Sequence, residues 1–527
     1  MIWTTAATLL FSIILFYSLT KEPKIHRNGE KLKRPPNTLP VLGNAIVFLR
    51  PRHVLFDWFV KCQQIFGRET FEISVPSLPP GVVINSPENL EFVLKNESII
   101  TKGDFFKQRS WDLFGYGIIN ATGDSWRAQR KAGVKFFTAA NLDALIEHVM
   151  PTVYQDTTRK QLLEAVRDGS VIDLQKVLLD LTTTVVGHMA YDMEIDASSP
   201  FGKAFDHASD HVGLRFQNPL YWLTEMFTGA SFRSSLAEVR RFSMQIVTNA
   251  RKRRSRAAFE SLITEGDGDT STPPSDPCFG SLIDSLIESF AEPQVVADAA
   301  LNFLSAGRDT TAQSFTWMFY ALMRHPEALK EVRKEVDEKV SNIEDIDISL
   351  LQPATLPLTL ATYYEALRLY PPIPFELKQT SQPVTLPDGT FLPANALVVW
   401  CIYAFNRAVE IYGDDAHLFR PGRWLDEDGK LVPRSFLEFP VFNGGPRSCL
   451  GKKMAELMGV WVMVRMCSEW DFDEVMDGLV RVDDNGKEIV RERVSANSLT
   501  LPMEGGLPCR VRMRDRKVPQ ERKVNGH

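Results

Sequence analysis

The stretch FNGGPRSCLG, Phe442–Gly451, sets one cysteine behind two glycines, a proline and an arginine, and ahead of a long apolar run. Gly444 and Gly445 reach backbone angles closed to other residues and would let a flat ligand approach closely. Pro446 stiffens the turn, and Arg447 can pair with a carboxylate. The run KKMAELMGVWVMVRMCSEW predicts a helix soon after Cys449. A cysteine at a helix start meets free N–H groups and the positive end of the dipole, which favour a thiolate. Gly451 permits close packing there. Three readings stay open: a metal ligand, a nucleophile, or a small buried residue. A nucleophile needs a histidine base. The nine histidines are scattered, and no hydrolase signature surrounds this cysteine.

Around this stretch lies a chain of 527 residues, 44% hydrophobic and 24% charged, enough for one large core. The net charge of -6 gives no sign of a nucleic-acid partner. The six cysteines, Cys62, Cys278, Cys401, Cys449, Cys467 and Cys509, are widely spread with no CxxC pair. That excludes a disulfide scaffold and fits a reducing compartment. Residues 1–20, MIWTTAATLLFSIILFYSLT, carry no charged side chain. At about 1.5 Å per residue they span a bilayer core as one transmembrane helix, with Trp3 and Tyr17 at its interfaces. Lys21, Lys24, Arg27, Lys31, Lys33 and Arg34 outnumber Glu22 and Glu30 behind it, which places the body in the cytosol. A cleaved signal peptide would want a basic start and a small-residue cleavage site, and neither is clear. The expected division is a membrane anchor over 1–20, a basic and proline-rich linker over 21–48, one catalytic domain over 49–515 and a polar tail over 516–527.

The body reads as mainly α with a minor β part. TFEISV and GVVINS have the look of short strands, and helical periodicity dominates from about residue 125 to 375. Glu265–Pro277, EGDGDTSTPPSDP, reads as a mobile surface loop. PVTLPDGTFLP and NALVVWCIYAF predict a small sheet, and SANSLTLPMEGGLPCRVRMR a hairpin around Gly505 and Gly506.

Three further motifs carry polar groups where they are costly. AGRDTTA, Ala306–Ala312, interrupts an apolar helix with Asp309, Thr310 and Thr311. Threonine hydroxyls bond the carbonyl one turn back and loosen a helix. The small Ala306–Gly307 pair opens space, so the site suits a small molecule such as dioxygen, or is only a polar kink. YYEALRLYPP sets Glu365 and Arg368 at i,i+3, usually a surface pair of little value. FRPGRWL adds Arg423. If it joined the pair, a buried network would form that is stable only when every member is satisfied. DSWRAQRKA sets Trp126 and Arg130 at i,i+4, both able to donate to a carboxylate or simply to form a basic helix face. A thiolate under a flat acidic ligand is what an axial haem cysteine needs.

Together, in this order, the motifs resemble the cytochromes P-450, the haem-thiolate monooxygenases, of microsomal type. The cysteine signature F-x-x-G-x-R-x-C-x-G is matched by Phe442, Gly445, Arg447, Cys449 and Gly451. The oxygen-binding helix signature is matched by Ala306, Gly307, Asp309 and Thr310, the E-x-x-R pair by Glu365 and Arg368 with Arg423 following, and the Trp-x-x-x-Arg pair by Trp126 and Arg130. The resemblance implies a large helical domain plus a small β-rich region behind the membrane helix. It implies haem b with Cys449 as the axial iron ligand, Phe442 packed near the sulfur, and Arg447, Trp126 and Arg130 on the propionates. Thr310 and Asp309 would organise proton delivery. Glu365, Arg368 and Arg423 would lock the scaffold. Electrons would come from NADPH through a separate cytochrome P-450 reductase, with cytochrome b5 as a further partner, at the endoplasmic reticulum membrane.

The wording of AGRDTTA, ALRLYPP and FNGGPRSCLG is closest to the alkane and fatty-acid hydroxylase branch of fungi and plants. The segments Phe105–Ile119, FQNPLYWLTEMF, Ile373–Leu377 and Leu499–Met503 are apolar and are expected to line the pocket. Fatty-acid or alkane hydroxylation is the first expectation. Tailoring of a polyketide, terpenoid or other secondary metabolite is the alternative. A haem-binding electron carrier without monooxygenase activity is the reading from another class, and Thr310 argues against it. His207 and His211 lie at i,i+4 but lack the glutamate of a zinc HExxH motif. RKRRSR, Arg251–Arg256, reads as a solvated helix end.

Overall fold

A computed structural model describes residues 24–76, 78–264, 281–482 and 488–515. The expected membrane anchor over 1–20, the loop Glu265–Pro277 and the tail over 516–527 lie outside the described residues. Among the described residues no helix is long and apolar enough to cross a membrane.

The helices that position the site are, in chain order, α1 (Arg52–Phe66), α2 (Gly103–Phe114), α3 (Gly123–Phe136), α4 (Leu174–Val186), α5 (Pro200–Gln217), α6 (Tyr221–Thr264), α7 (Ser281–Ser289), α8 (Pro293–Arg324), α9 (Pro357–Leu369) and α10 (Lys452–Glu469). Helices apolar on nearly every face belong in the interior, and α8 and α10 both do. Their side chains are buried almost without a break from Val296 to Leu322 and from Met454 to Ser468. Pro293 opens α8 at its first position, and Pro326 follows its end at once. α5 also begins with a proline, behind a Ser199 hydroxyl that accepts the Gly202 N–H at 3.2 Å.

A five-stranded sheet flanks the helices in the order β1 (Phe71–Ile73), β2 (Gly81–Val83), β6 (Leu397–Cys401), β5 (Phe375–Thr380) and β3 (Ile100–Thr101). β6 runs parallel to β2, with Val398 opposite Val82, and antiparallel to β5, with Cys401 opposite Phe375. A three-stranded sheet has the order β7 (Trp470–Glu474), β8 (Pro508–Met513) and β4 (Ile172–Asp173). The architecture is thus mainly helical with a minor β part.

Three expectations need correction. Gly505 and Gly506 do turn the chain, at φ of +74° and +73°, but they are not a hairpin tip; the segment folds back before them, through an antiparallel bridge between Ser495 and Met503. β8 pairs instead with β7 and β4, Met513 facing Trp470 and Cys509 facing Ile172. Burial of Cys509, Val511 and Trp470 against the helical core decides that pairing. The Arg251–Arg256 run is not a helix end but lies within α6. Arg253 there reaches Asp284 at 3.1 Å and Arg254 reaches Glu288 at 3.4 Å, tying α6 to α7. Part of the proline-rich spacer is built into the body. Ile25 and Leu32 are buried, and His26–Arg27 pairs with Thr390–Phe391.

Candidate active site

A cavity of about 550 Å³ runs from the Cys449 loop toward the strands β1 and β2. Phe442, Cys449 and Leu450 line it from the loop, and Phe303, Ala306, Asp309 and Thr310 from α8. The Cys449 side chain is exposed, but onto this cavity and within the protein body. Burial therefore raises the thiol pKa. The Gly451 N–H and the Arg130 cation pull it down and do not win. The helix-start reading is corrected to that extent. α10 begins at Lys452, so Cys449 precedes its first turn.

Main-chain bonds fix the loop. The Cys449 N–H donates to the Phe442 carbonyl at 2.8 Å, and the Ser448 N–H to the Gly445 carbonyl at 3.1 Å. Gly445 has φ +62°, and a Cβ on it would sit 2.6 Å from the Leu94 carbonyl oxygen. A Cβ on Gly444 would lie 2.3 Å from the Phe436 ring. Both glycines are thus required by protein packing as well.

One edge of the cavity is basic. The Trp126 ring carries the Arg447 guanidinium at 4.8 Å and that of Arg130 at 5.7 Å. Arg130 donates to the Ser448 carbonyl at 2.9 Å and its hydroxyl at 3.3 Å. Arg447 meets Glu97 at 2.5 Å, a carboxylate shared with Lys378 at 2.5 Å, and donates to the Ala121 carbonyl at 3.0 Å. Among the described residues no carboxylate pairs with Arg130. Burial and Arg447 lower its pKa. The edge holds more positive charge than the protein neutralises, which fits a flat group with acidic arms.

On α8 the Thr310 hydroxyl donates to the Ala306 carbonyl at 2.6 Å. The expected loosening does not follow, since the helix continues unbroken to Arg324. A Cβ on Gly307 would come 3.0 Å from Val186, so this glycine also lets α8 pack on α4. Asp309 does not bond Thr310 directly. It meets Arg308 at 2.5 Å, and Arg308 also reaches Asp206 on α5 at 2.7 Å and the Thr183 hydroxyl at 3.1 Å. Burial lifts the Asp309 carboxyl, Arg308 draws it down and Asp206 lifts it again, leaving it at about 6. Arg308 and Asp206 were missed by the sequence reading. The available signal was an arginine inside an apolar run.

The third motif closes into the buried network that the sequence made conditional. Glu365 and Arg368 are both 0% exposed. Glu365 accepts from Arg368 Nε and Nη2 at 2.8 Å each, Arg423 Nε at 2.9 Å, Trp424 Nε1 at 2.9 Å and the Arg420 N–H at 2.8 Å. Arg368 spends its other donors on the carbonyls of Asn406 at 2.7 Å, Ala416 at 2.6 Å and Leu418 at 2.9 Å. All five guanidinium N–H groups have acceptors. Burial would raise the Glu365 carboxyl, but Arg368 and Arg423 hold it below the usual range.

Of the segments expected to line the cavity, Phe105–Phe114 is helix α2 and contributes Phe105, Phe106 and Phe114. Ile373, Leu377 and Leu499 also line it. From FQNPLYWLTEMF only Phe216 and Gln217 do, while Trp222, Met226 and Phe227 point outward, Phe227 being 82% exposed. His211 bonds Glu225 at 3.0 Å and His207 bonds the Ser235 hydroxyl at 3.0 Å. Among the described residues no His, Cys, Asp and Glu cluster could hold a metal ion.

Residues 34–496 match the family model described as Cytochrome P450. The chain is similar to Cytochrome P450 94A2 of Vicia sativa, 29% identical over 97% of this chain and 98% of that one. It is similar to Cytochrome P450 monooxygenase cyp1 of Mycosarcoma maydis, 30% identical over 91% of this chain and 75% of that one. Cytochrome P450 86B1 of Arabidopsis thaliana is 32% identical over 76% of this chain and 74% of its own.

Proposed function

The chain belongs to the cytochrome P450 family of monooxygenases, and on that premise we propose that it hydroxylates the aliphatic chain of a fatty acid or alkane. The observation that carries this reading is the wall of the cavity. Phe105, Phe216, Phe303, Ile373 and Leu499 continue the apolar surface beyond Cys449 and Thr310, which suits a saturated chain. Haem fits the basic edge and the thiol loop, with Cys449 as iron ligand and Trp126, Arg130 and Arg447 toward the acid arms. When bound, it supplies activation of dioxygen, one oxygen atom going to the substrate and the other to water.

The protein's own groups then handle position and protons. Phe442, Leu450 and Phe303 give the cavity apolar walls. Thr310 Oγ1 donates its hydrogen to the Ala306 carbonyl and lines the cavity, where its oxygen can accept a hydrogen bond; it delivers a proton inward only by turning its O–H away from that carbonyl. Asp309, with a carboxyl near 6, is the adjoining reservoir, and Arg308, itself anchored by Asp206, holds it in place. Thr310→Ala should lower product formed per NADPH consumed by about tenfold or more. Equal coupling in the variant and the wild type would remove this role. The rate–pH profile should carry an inflection near 6 from Asp309, whose carboxyl burial lifts. Asp309→Asn should abolish that inflection, and its persistence would reassign it.

Electrons come from NADPH through a separate reductase, with cytochrome b5 as a further partner, at the endoplasmic reticulum membrane. Membrane association is supported by the uncharged stretch at residues 1–20 and by exposed Trp222, Met226 and Phe227. The test is product profiling with a reductase and a panel of fatty acids, alkanes and polycyclic metabolites. Hydroxylated aliphatic chains are expected. Oxidation confined to polycyclic substrates would overturn the reading.

A further inference from the structure

Four cations line the cavity: Arg52, Lys102, Arg130 and Arg447. Three of them have partners. Lys102 meets Glu376 at 2.9 Å, Arg447 meets Glu97 at 2.5 Å, and Arg130 holds Ser448 of the Cys449 loop. Arg52 is 8% exposed, and its Nε is buried with no hydrogen-bond partner. Among the described residues no carboxylate forms an ion pair with it, and the Phe56 ring lies 5.5 Å from its guanidinium carbon. A buried, unpaired charge is expensive. Burial pulls this guanidinium down to about 10, still charged near neutrality.

Helix stability does not explain the residue either. Arg52 is the first residue of the 15-residue helix α1, behind Pro51, and no acidic side chain lies in the first turn. A helix N-terminus favours anions and disfavours cations. Both features are accounted for by an anion that the protein itself does not supply. Gln217 adds a second donor on the cavity wall, since its Nε2 is buried without a partner. Gln217 and Phe48 line both the cavity and an adjoining surface cleft. This end therefore lies toward water, and Leu55, Phe59, Val75 and Leu78 make it apolar around the guanidinium. The carboxylate that senses Arg52 is Asp210, which bonds Ser498 and whose carboxyl burial pushes up to about 6. It is not an ion-pair partner.

We propose that the Arg52 end of the cavity is a carboxylate subsite: the acid head of an aliphatic substrate pairs with Arg52, and its chain lies along the cavity toward Thr310 and Cys449. This rests on the aliphatic-chain reading above and narrows it from alkanes to fatty acids. Oxidation at the end of the chain remote from the carboxyl then follows from the direction in which the substrate lies.

The test is equilibrium titration of the holoenzyme with dodecanoic acid, its methyl ester and dodecane, read from the haem absorption shift on binding. The acid should bind about ten- to a hundredfold tighter than the ester, the worth of a charge-assisted pair in a dry site. Arg52→Leu should bring the acid down to the ester's affinity, Arg52→Lys should keep part of the preference, and Gln217→Ala should cost a few-fold. Equal affinity of acid and ester in the wild type would overturn the subsite and leave the aliphatic reading standing. Acid preference surviving in Arg52→Leu would overturn it as well. Binding of none of the three ligands would overturn both readings. The wild-type comparison decides the matter even where the leucine variant yields no holoenzyme.

Discussion

Replacement of Cys449 by alanine is expected to abolish the red-shifted Soret band of the reduced, carbon monoxide-bound protein. Cys401→Ala and Cys467→Ala should keep it. The band reports thiolate ligation, and Cys449 is the one cysteine among the described residues whose thiol opens onto the cavity. Cys62, Cys401, Cys467 and Cys509 are buried. Burial pushes the thiols of Cys62, Cys401 and Cys467 up to about 12 and raises that of Cys509 as well. None can stand in as a thiolate without rearranging the core. The expected loss is complete. A histidine-type spectrum in the wild type would sink the assignment of Cys449, and so would a surviving band in Cys449→Ala.

The second large effect is on stability. Glu365→Ala removes the acceptor of five hydrogen bonds, leaves Arg368 buried without its counter-charge and leaves Arg423 with Asp415 alone, at 3.1 Å. Breaking one side of a buried pair costs about 3–5 kcal/mol, against a total of about 5–15 kcal/mol for a folded protein. The variant should yield little haem-loaded protein, and denaturant unfolding of what is recovered should shift to markedly lower midpoints. Glu365→Gln keeps the shape but not the charge, so it should fall between the two. An unchanged midpoint in Glu365→Ala would show that the network is not holding the scaffold. The pH sign follows from the depressed carboxyl of Glu365. Its contribution is full above the unfolded carboxylate value near 4.3 and is lost as pH falls through the folded value.

Much of the site was legible because its chemistry needs scarce residue types in fixed spacing. Cys449, Thr310, Glu365 and Arg368 could be picked from local strings. Their partners could not. Asp206 reaches Arg308 across 102 positions, and Trp424 reaches Glu365 across 59. Nothing in RPRHVLF sets Arg52 apart from an ordinary helix arginine, because its significance is the absence of a partner in three dimensions. The packing around the glycine pair was hidden for the same reason. A sequence reports that Gly445 permits positive φ, but not that Leu94 is what crowds it. The terminal turn at Gly505 and Gly506 was local and legible. The pairing of β8 with β7 was not, since burial across the domain selects it.

The Arg368 staple has a consequence for how this surface can change. Ala416 and Leu418 meet it through carbonyl oxygens alone, and every residue has one of those. The interior thus dictates a path for the main chain and, at exposed Leu418, is indifferent to the side chain that rides on it. Leu418, half exposed above its own anchored carbonyl, can be exchanged for a charged or polar residue without disturbing what lies beneath. Within Gly413–Arg420, Asp415, Ala416 and Phe419 serve the interior, while exposed Asp414, His417 and Leu418 form an outer face that can be rewritten over a rigid outline, which is what a surface needs if it is to acquire new partners without putting the fold at risk.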